Sequence, residues 1–299
     1  MGRTLLLVAL VVGTTSSPVA AGSLRFYGSG VLAPTLDRVV IPLETDRPVD
    51  VGAGDFTVEV WLRALPGENA STAACTSAVD DWITGNIVLD RDVFGPGDAG
   101  DWGLALKSGR VVFGVAAGST GVTLCGSRTV TDGQWHHVAV TRQATTGALV
   151  LWVDGFQDAA AVGPTGDLSY RDGRVGSTWD PYLVLGAEKH DAGAEYPSFS
   201  GWLDELRLST VRRYTTAFVP PTRAFDPDAA TAALYHFDAG TGTTVADATP
   251  GGASPGTRRP GGVPEGPAWA SESPFAATIF SDGFESGSTA AWSSTSSGP

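Results

Sequence analysis

The loop segment 176–200 carries residues suited to recognising a ligand. Its aromatic and polar side chains, set among Gly and Pro residues, are Trp179, Tyr182, His190, Asp191 and Tyr196. Aromatic rings stack on sugar faces and carboxylates accept hydrogen bonds from hydroxyls, so this combination predicts a carbohydrate-binding loop. The alternative is an ordinary loop whose rings pack on their own domain. Residues 67–82, which contain Cys75, form a second candidate loop.

Histidine-based catalysis finds no support in the sequence. The zinc-protease pattern H-E-x-x-H does not occur. His136 and His137 are neighbours on a predicted strand, so they point to opposite faces and cannot jointly bind one metal.

Two cysteines, Cys75 and Cys125, are present in the whole chain. An even count in a secreted chain predicts a disulfide bond. Two separate buried thiols are the alternative. Redox catalysis is disfavoured because the cysteines lack C-x-x-C spacing.

Composition limits the classes of partner. The chain has 299 residues, 42% of them hydrophobic and 17% charged, with a net charge of −13. This length and composition allow one large all-β domain or two small ones. The negative charge argues against nucleic acid and anionic membranes as partners, and favours solubility outside the cell. The scarcity of lysine beside plentiful Arg, Ala and Gly suggests a bacterial source.

The N-terminus has the pattern of a secretory signal peptide. Arg3 precedes the apolar run 5–12, which is too short to span a bilayer, and small residues then occupy positions 19–21. We therefore predict cleavage after Ala21, which removes the positive charge of Arg3 and takes the net charge from −13 to −14. The alternatives are a buried first strand or an uncleaved anchor. No later segment is long and apolar enough to cross a membrane.

The remaining sequence predicts short strands separated by turns. Residues 56–63 alternate between apolar and mostly polar positions. Further predicted strands are 86–90, 102–107, 110–115, 135–142, 148–154, 182–186, 201–209, 233–237 and 267–270. Four tryptophans in or beside these strands are expected to fill the space between two sheets: Trp61, Trp135, Trp152 and Trp202. Residues 248–266, rich in Pro and Gly, are predicted to form a surface loop. Many short strands predict an all-β sandwich or jelly roll.

Several motifs in order resemble the LamG-like members of the concanavalin A-like lectin/glucanase superfamily. They lie at residues 24–28, 39–42, 55–61, 132–140 (DGQWHHVAV), 151–155 (LWVDG), 199–208 (FSGWLDELRL) and 234–247. The last of these resembles a pattern usually written F-D-E-G-x-G-T-x-x-x-D, although Ala239 replaces its glutamate. The resemblance implies an antiparallel jelly-roll β-sandwich over residues 22–275.

The resemblance also raises the possibility of glucanase activity, because some relatives are retaining β-glucanases. Those enzymes need two carboxylates about 5 Å apart. The family pattern that supplies them, E-x-D-x-x-E, does not occur in the chain. The nearest acids, Asp204 and Glu205, are adjacent and are expected on opposite faces, with Glu205 paired to an arginine.

Calcium is a further implication of the resemblance, since many such sandwiches hold Ca²⁺ through loop carboxylates and carbonyls. We expect Asp238 and Asp247 to be ligands, because they flank a Gly/Thr loop that can fold back on itself. Other acid-rich loops lie at 90–92, 98–101 and 191. The alternative is that all these acids are solvated surface groups.

Together these patterns predict three segments: a signal peptide (1–21), a LamG-like sandwich (22–275) and a short tail (276–299) for sorting or attachment. We expect a secreted, non-catalytic module at the outside of the cell or on its surface, which binds an extracellular glycan with or without Ca²⁺. The alternative is a structural or adhesive protein that binds a cell-surface protein. Glycan hydrolysis is the third possibility.

Overall fold

A computed structural model describes residues 22–29, 37–43, 47–93, 99–170 and 181–275. The predicted signal peptide, the predicted tail and Trp179 lie outside these ranges. In chain order the strands are β1 Ser23–Tyr27, β2 Arg38–Pro42, β3 Phe56–Arg63, β4 Asn86–Asp90, β5 Ala99–Lys107, β6 Arg110–Ala117, β7 Thr120–Thr129, β8 Trp135–Arg142, β9 Ala148–Val153, β10 Phe156–Val162, β11 Tyr182–Leu185, β12 Ser200–Ser209, β13 Thr231–Tyr235, β14 Thr244–Val245, β15 Gly256–Arg259 and β16 Ala268–Ala270.

These strands form two antiparallel sheets of eight strands each. The first sheet has the order β10-β9-β8-β3-β12-β1-β16, and β13 extends it by pairing with the second half of β12. The second sheet has the order β14-β15-β2-β11-β4-β5-β6-β7. The predicted jelly-roll β-sandwich is therefore confirmed. The strands β4 and β11 pair with each other although they lie far apart in sequence. The segments that flank them therefore lie close together at one edge of the sandwich.

Alternation along the strands builds the core between the sheets. In β3, Val58, Val60 and Leu62 are buried and join a cluster to which both sheets contribute. Trp102 is buried in that cluster, and its ring stacks with the ring of Phe113. Removing such apolar side chains from water contributes about 1.5–3 kcal/mol each.

The placement of the other tryptophans corrects the sequence-based expectation. Trp61, Trp135, Trp152 and Trp202 alternate with core residues and therefore lie on the outer face of the first sheet. Trp152 is buried there beneath Phe218, and Trp61 lies edge-on to Phe275. Side-chain direction in a strand follows residue parity, so ring size alone does not bring a tryptophan into the core.

A glutamate on the same outer face anchors the segment that covers it. Glu59 accepts hydrogen bonds from Arg207 (2.8 Å) and from the Tyr214 hydroxyl (2.7 Å). Its Oε2 atom also lies 3.1 Å from Nε2 of His137. Burial opposes ionisation of Glu59, but the partners outweigh it and hold its pKa below the usual value. This network has a structural role.

The disulfide between Cys75 and Cys125 is confirmed, with Cα atoms 5.7 Å apart. It fastens the loop before β4 onto β7, and a short 3₁₀ helix (Asp81–Thr84) in that loop places Trp82 on the outer face of the second sheet. Gly103 and Gly114 lie under the Trp82 ring, where an added Cβ would collide with it. Trp82 thus fixes the end of the second candidate loop on the sheet, while residues 67–80 are exposed or half-buried and their binding role remains a prediction.

Some strands were not predicted. They include β7 and β10, which are edge strands, and β15, which lies in the predicted surface loop 248–266 and pairs with β2. Polar and small residues dominate these strands, so their apolar alternation is weak. Among the described residues, no helix is long and apolar enough to cross a membrane.

Candidate functional site

The segment between β11 and β12 is held against β4 at both of its ends. The N–H of Gly186 donates to Val88 O (3.0 Å), and the N–H of Ile87 donates to Pro197 O (3.0 Å). Gly186 has φ of +91°, a conformation that favours glycine, and a Cβ there would also collide with Phe26. The backbone therefore turns sharply after β11 and brings the following loop over the end of β4.

Most of the predicted ligand-binding residues that the structure describes lie along this loop, and Tyr182 precedes it in β11. Tyr182 begins β11, and its ring centroid is 4.8 Å from the ammonium of Lys189. His190 and Tyr196 are half-buried, and Asp191 is exposed. The negative charge of Asp191, followed by a small desolvation effect, raises the pKa of Tyr196. Asp191 and Tyr196 are thus both accessible to solvent on this loop.

Asp90, at the end of β4, joins the two loops. Its carboxylate accepts the N–H of Asp92 (2.6 Å) and the N–H of Lys189 (2.7 Å). Burial raises the pKa of Asp90 well above its usual value, and the charges of Glu188 and Asp92 raise it further. Burial and the neighbouring acids at this edge of the fold therefore both disfavour the ionised form of Asp90.

Glu188 is the most enclosed acid of this edge. Its Oε2 atom accepts the N–H groups of His190 (2.6 Å) and Asp191. Its Oε1 atom is buried and accepts no hydrogen bond from a described residue. A buried carboxylate oxygen without a partner costs about 1–3 kcal/mol, and more when it is charged.

Asp92, Glu188 and His190 form one compact group, which we call the Asp92 cluster. One donor atom from each residue lies within 4.8 Å of the other two. Nδ1 of His190 is 2.9 Å from Oδ2 of Asp92 and 3.6 Å from Oε1 of Glu188. Two carboxylates and one imidazole in this arrangement have the chemistry of a metal-binding site.

Two cations border the Asp92 cluster. The ammonium of Lys189 donates to the backbone oxygen of Asp92 (2.6 Å). Arg38 is buried; its desolvation lowers its pKa, against the attraction of Glu188 and Asp90. Its Nε and Nη2 atoms have no hydrogen-bond partner among the described residues. These cations offset part of the acid charge without occupying the cluster itself.

Sequence reasoning identified part of this site. His190 and Asp191 were predicted as ligand-binding residues, and 90–92 was noted as an acid-rich loop. Glu188 was missed, although it lies within the segment 176–200. No local spacing connects Asp92 to Glu188, because only the pairing of β4 with β11 brings them together.

The acids predicted to bind calcium have other roles in the structure. Asp247 is buried and accepts the N–H groups of Leu234, Thr249 and Ser254 at 3.0–3.2 Å, so it organises a turn. Asp238 accepts the N–H of Gly22 at 2.7 Å. Calcium at this pair remains a prediction.

A groove of about 470 Å³ lies beside Asp238. His236, Asp238 and Trp269 contribute to its lining. The indole N–H of Trp269 donates to Gly242 O at 2.9 Å, so the ring is fixed in orientation. None of the residues that line this groove belongs to the loop after β11.

The adjacent acids Asp204 and Glu205 occupy a bulge in β12. Glu205 has φ of +51°, and the pairing of β12 with β3 shifts register between Asp204 and Arg207. Glu205 lies 2.6 Å from Nδ1 of His236, so its partner is a histidine and not the expected arginine. Burial, with the nearby charge of Glu205, raises the pKa of Asp204 to about 8.

A G-x-S-x-G stretch at residues 252–256 was overlooked in the sequence analysis. Its serine, Ser254, is buried, and its Oγ accepts the N–H of Val49 at 3.3 Å. In hydrolases this motif places an exposed serine between a strand and a helix. Here it precedes strand β15, and Ser254 fills a structural position.

The comparisons with known proteins agree with this fold. A sequence profile described as the concanavalin A-like lectin/glucanases superfamily matches residues 37–215. The chain therefore belongs to this superfamily. No match was found among curated protein sequences.

Solved structures of similar shape come from several sources. A Bacteroides ovatus protein proposed to bind carbohydrate is 17% identical, with a TM-score of 0.45 over 80% of this chain and 58% of that one. A heptameric pentraxin of Limulus polyphemus is 16% identical, with a TM-score of 0.42 over 67% of this chain and 80% of that one. Domains LG4-5 of the mouse laminin α1 chain are 17% identical, with a TM-score of 0.44 over 70% and 48% of the two chains.

Proposed function

We propose that the chain is an extracellular recognition module that binds carbohydrate without cleaving it. The superfamily to which it belongs includes lectins as well as glucanases, so its fold suits either role. The loop that follows β11 favours binding, because aromatic, acidic and imidazole side chains converge there. The ligand is proposed to lie across this loop.

One observation carries the proposal: in the loop after β11, Asp191 is exposed and His190 and Tyr196 are half-buried, so all three side chains reach solvent on one loop. A tyrosine ring offers an apolar face to a pyranose, and an ionised carboxylate accepts hydrogen bonds from its hydroxyls. Because Gly186 and Pro197 fix both ends of the loop to β4, little ordering is required on binding.

The acids described here do not favour a hydrolytic mechanism. A retaining glycosidase needs one ionised nucleophile and one protonated acid that both face the sugar. Glu188 receives two backbone N–H groups, and Glu205 receives the N–H of Phe225 at 2.7 Å. Asp204 accepts the hydroxyl of Ser273 at 2.9 Å. These structural bonds support a non-catalytic role.

Secretion is part of the same proposal. The disulfide between Cys75 and Cys125 suits an oxidising compartment outside the cytosol. Expression of the full chain in a bacterial host is expected to release a protein whose N-terminal residue is Gly22, as read by mass spectrometry. An intact N-terminus in the exported protein would contradict the predicted cleavage.

A glycan array with protein lacking residues 1–21 tests the binding proposal. We expect selective binding that weakens at least about tenfold in Tyr196→Ala and in Asp191→Ala, because each variant removes a direct contact. Phe156→Ala is the matched control, since Phe156 is an exposed aromatic residue on a distant edge strand.

Three outcomes would contradict the proposal. Silence across the array would favour a protein partner and an adhesive role. Equal binding by all variants would move the site away from this loop. Release of reducing sugar from a panel of β-glucans would show that the protein is an enzyme.

A further inference from the structure

The Asp92 cluster combines three features that an ordinary group of surface acids lacks. Its central acid, Glu188, has a fully buried side chain, whereas the side chains of Asp92 and His190 are 14% and 21% exposed. The three donor atoms come from two loops that Asp90 ties together. The cluster is thus closed on the protein side and open to solvent on the other.

The unpartnered oxygen of Glu188 is the observation that points to a bound ligand. Its Oε1 atom is buried, 3.6 Å from Nδ1 of His190, and receives no hydrogen bond from a described residue. Buried polar atoms in native proteins nearly always have a partner, so such an atom requires an explanation. A cation beside Oε1 supplies one.

The charge around the cluster favours the same occupant. Asp92 and Glu188 lie near a third acid, Asp90, whose carboxylate accepts the N–H groups of Asp92 and Lys189. The ammonium of Lys189 donates to the backbone oxygen of Asp92, and Nε and Nη2 of Arg38 make no hydrogen bond to a described residue. A positive charge among the three donor atoms relieves the repulsion between the acids.

The donor types select the kind of metal ion. Calcium takes six to eight oxygen ligands, and this cluster supplies two carboxylates and a nitrogen. Zinc accepts this combination at bond lengths of about 2.0–2.2 Å, which places tetrahedral donors roughly 3.3 Å apart. The observed separations of 2.9 Å and 3.6 Å from Nδ1 of His190 lie on either side of that value.

We propose that Asp92, Glu188 and His190 bind one Zn²⁺ ion per chain. Three protein ligands leave the fourth tetrahedral position open on the exposed side of the cluster, where water or a ligand oxygen coordinates. If the proposed carbohydrate-binding function holds, a sugar hydroxyl or carboxylate takes this position next to Asp191. Zinc binding itself does not depend on that function.

Metal binding to tag-free protein, stripped with EDTA and dialysed, tests the proposal directly. Isothermal titration calorimetry with Zn²⁺ is expected to show one site per chain, with Ca²⁺ and Mg²⁺ bound at least about tenfold more weakly. Co²⁺, used as a visible probe of the zinc site, is expected to give the absorption bands of a low-coordinate nitrogen and oxygen site.

Three variants locate the site. His190→Ala and Glu188→Gln are expected to weaken Zn²⁺ binding by at least about tenfold, because each removes a ligand. His136→Ala is the matched control. His136 also contacts two carboxylates, but Asp154 lies at its Nδ1 (2.8 Å) and Asp132 at its Nε2 (3.0 Å), so one ion cannot replace both contacts.

The possible results separate the two proposals. Absence of Zn²⁺ binding, retained binding in His190→Ala, or tighter binding of Ca²⁺ would overturn the zinc site. Glu188 is buried, so circular dichroism must first show that Glu188→Gln folds; His190 is partly exposed and keeps the test decisive otherwise. Zn²⁺ binding with a silent glycan array would leave the metal site standing and remove only the carbohydrate proposal.

Discussion

The carboxyl group of Asp204 has a pKa far above that of an ordinary aspartate. It lies beside Glu205 in a strand, yet the bulge in β12 keeps the two charges close enough to interact. Its Oδ1 atom is buried without a hydrogen bond from a described residue. The protonated form is therefore favoured in the folded protein near neutral pH.

Asp204→Asn is expected to stabilise the protein increasingly as pH rises. Burial and the charge of Glu205 raise the pKa of Asp204 from its ordinary value of 3.8 to about 8 in the folded state, so the wild type loses stability as pH increases between these values. The neutral amide does not titrate, so the melting temperature of the variant relative to wild type should increase from pH 5 to pH 9.

Asp228→Asn is the control of opposite sign. A bidentate contact with Arg213 holds the pKa of Asp228 below its usual value, so its contribution is present above the unfolded pKa and is lost as pH falls. This variant should be less stable than wild type at neutral pH and approach it in acid. Parallel pH profiles for both variants would contradict the assignment.

At the level of strands and loops, two covering segments that pack on the outer faces of the sheets stabilise the sandwich. The Cys75–Cys125 bond holds the Trp82 loop on the second sheet, and Glu59 holds the segment with Tyr214 on the first. Without these covering segments, the strands beneath them would expose Trp152 and the small residues around Trp82. Each cover is fixed by contacts between residues far apart in sequence.

Removing the disulfide by Cys75→Ala together with Cys125→Ala is expected to lower the free energy of unfolding by up to roughly 4 kcal/mol. The bond closes a segment with a sequence separation of 50, which restricts the unfolded chain. Urea denaturation measures the difference. Wild type in reductant should then match the double variant, and an unchanged midpoint in both cases would refute the role.

Most strands were predictable from the sequence, but the segments that cover the outer faces of the sheets were not. Residues 56–63 and 86–90 were predicted with the bounds that β3 and β4 have in the structure, because their alternation or apolar content is strong. The tryptophans Trp61, Trp135, Trp152 and Trp202 were assigned to the core in error. Their strands were correct, but the packing of a covering segment on the outer face has no local pattern.

For the whole molecule, charge is the dominant long-range feature. The net charge is −13, and −14 after the predicted loss of Arg3. Self-repulsion of this size disfavours the compact state at low ionic strength. Negative charge of this size also disfavours nucleic acid and anionic surfaces as partners.

The melting temperature is expected to rise between about 10 mM and about 150 mM NaCl, because the Debye length falls from about 30 Å to about 8 Å over that range. Differential scanning calorimetry in EDTA measures the change without metal effects. Sodium chloride is preferred to sulfate, which strengthens burial by exclusion. A constant or falling melting temperature would show that attractive pairs outweigh net repulsion.

The amino-acid sequence alone determined the class of fold, the superfamily, the disulfide and most strands. These features depend on side-chain alternation, turn residues and cysteine count, all of which are local or additive. The tertiary structure decided which residues come together at the proposed site. Asp92 and Glu188 are nearly one hundred positions apart in sequence. They come together because β4 and β11 are paired strands of the same sheet. Long-range strand pairing leaves no mark in local spacing, so a site built by it appears only when the chain is folded.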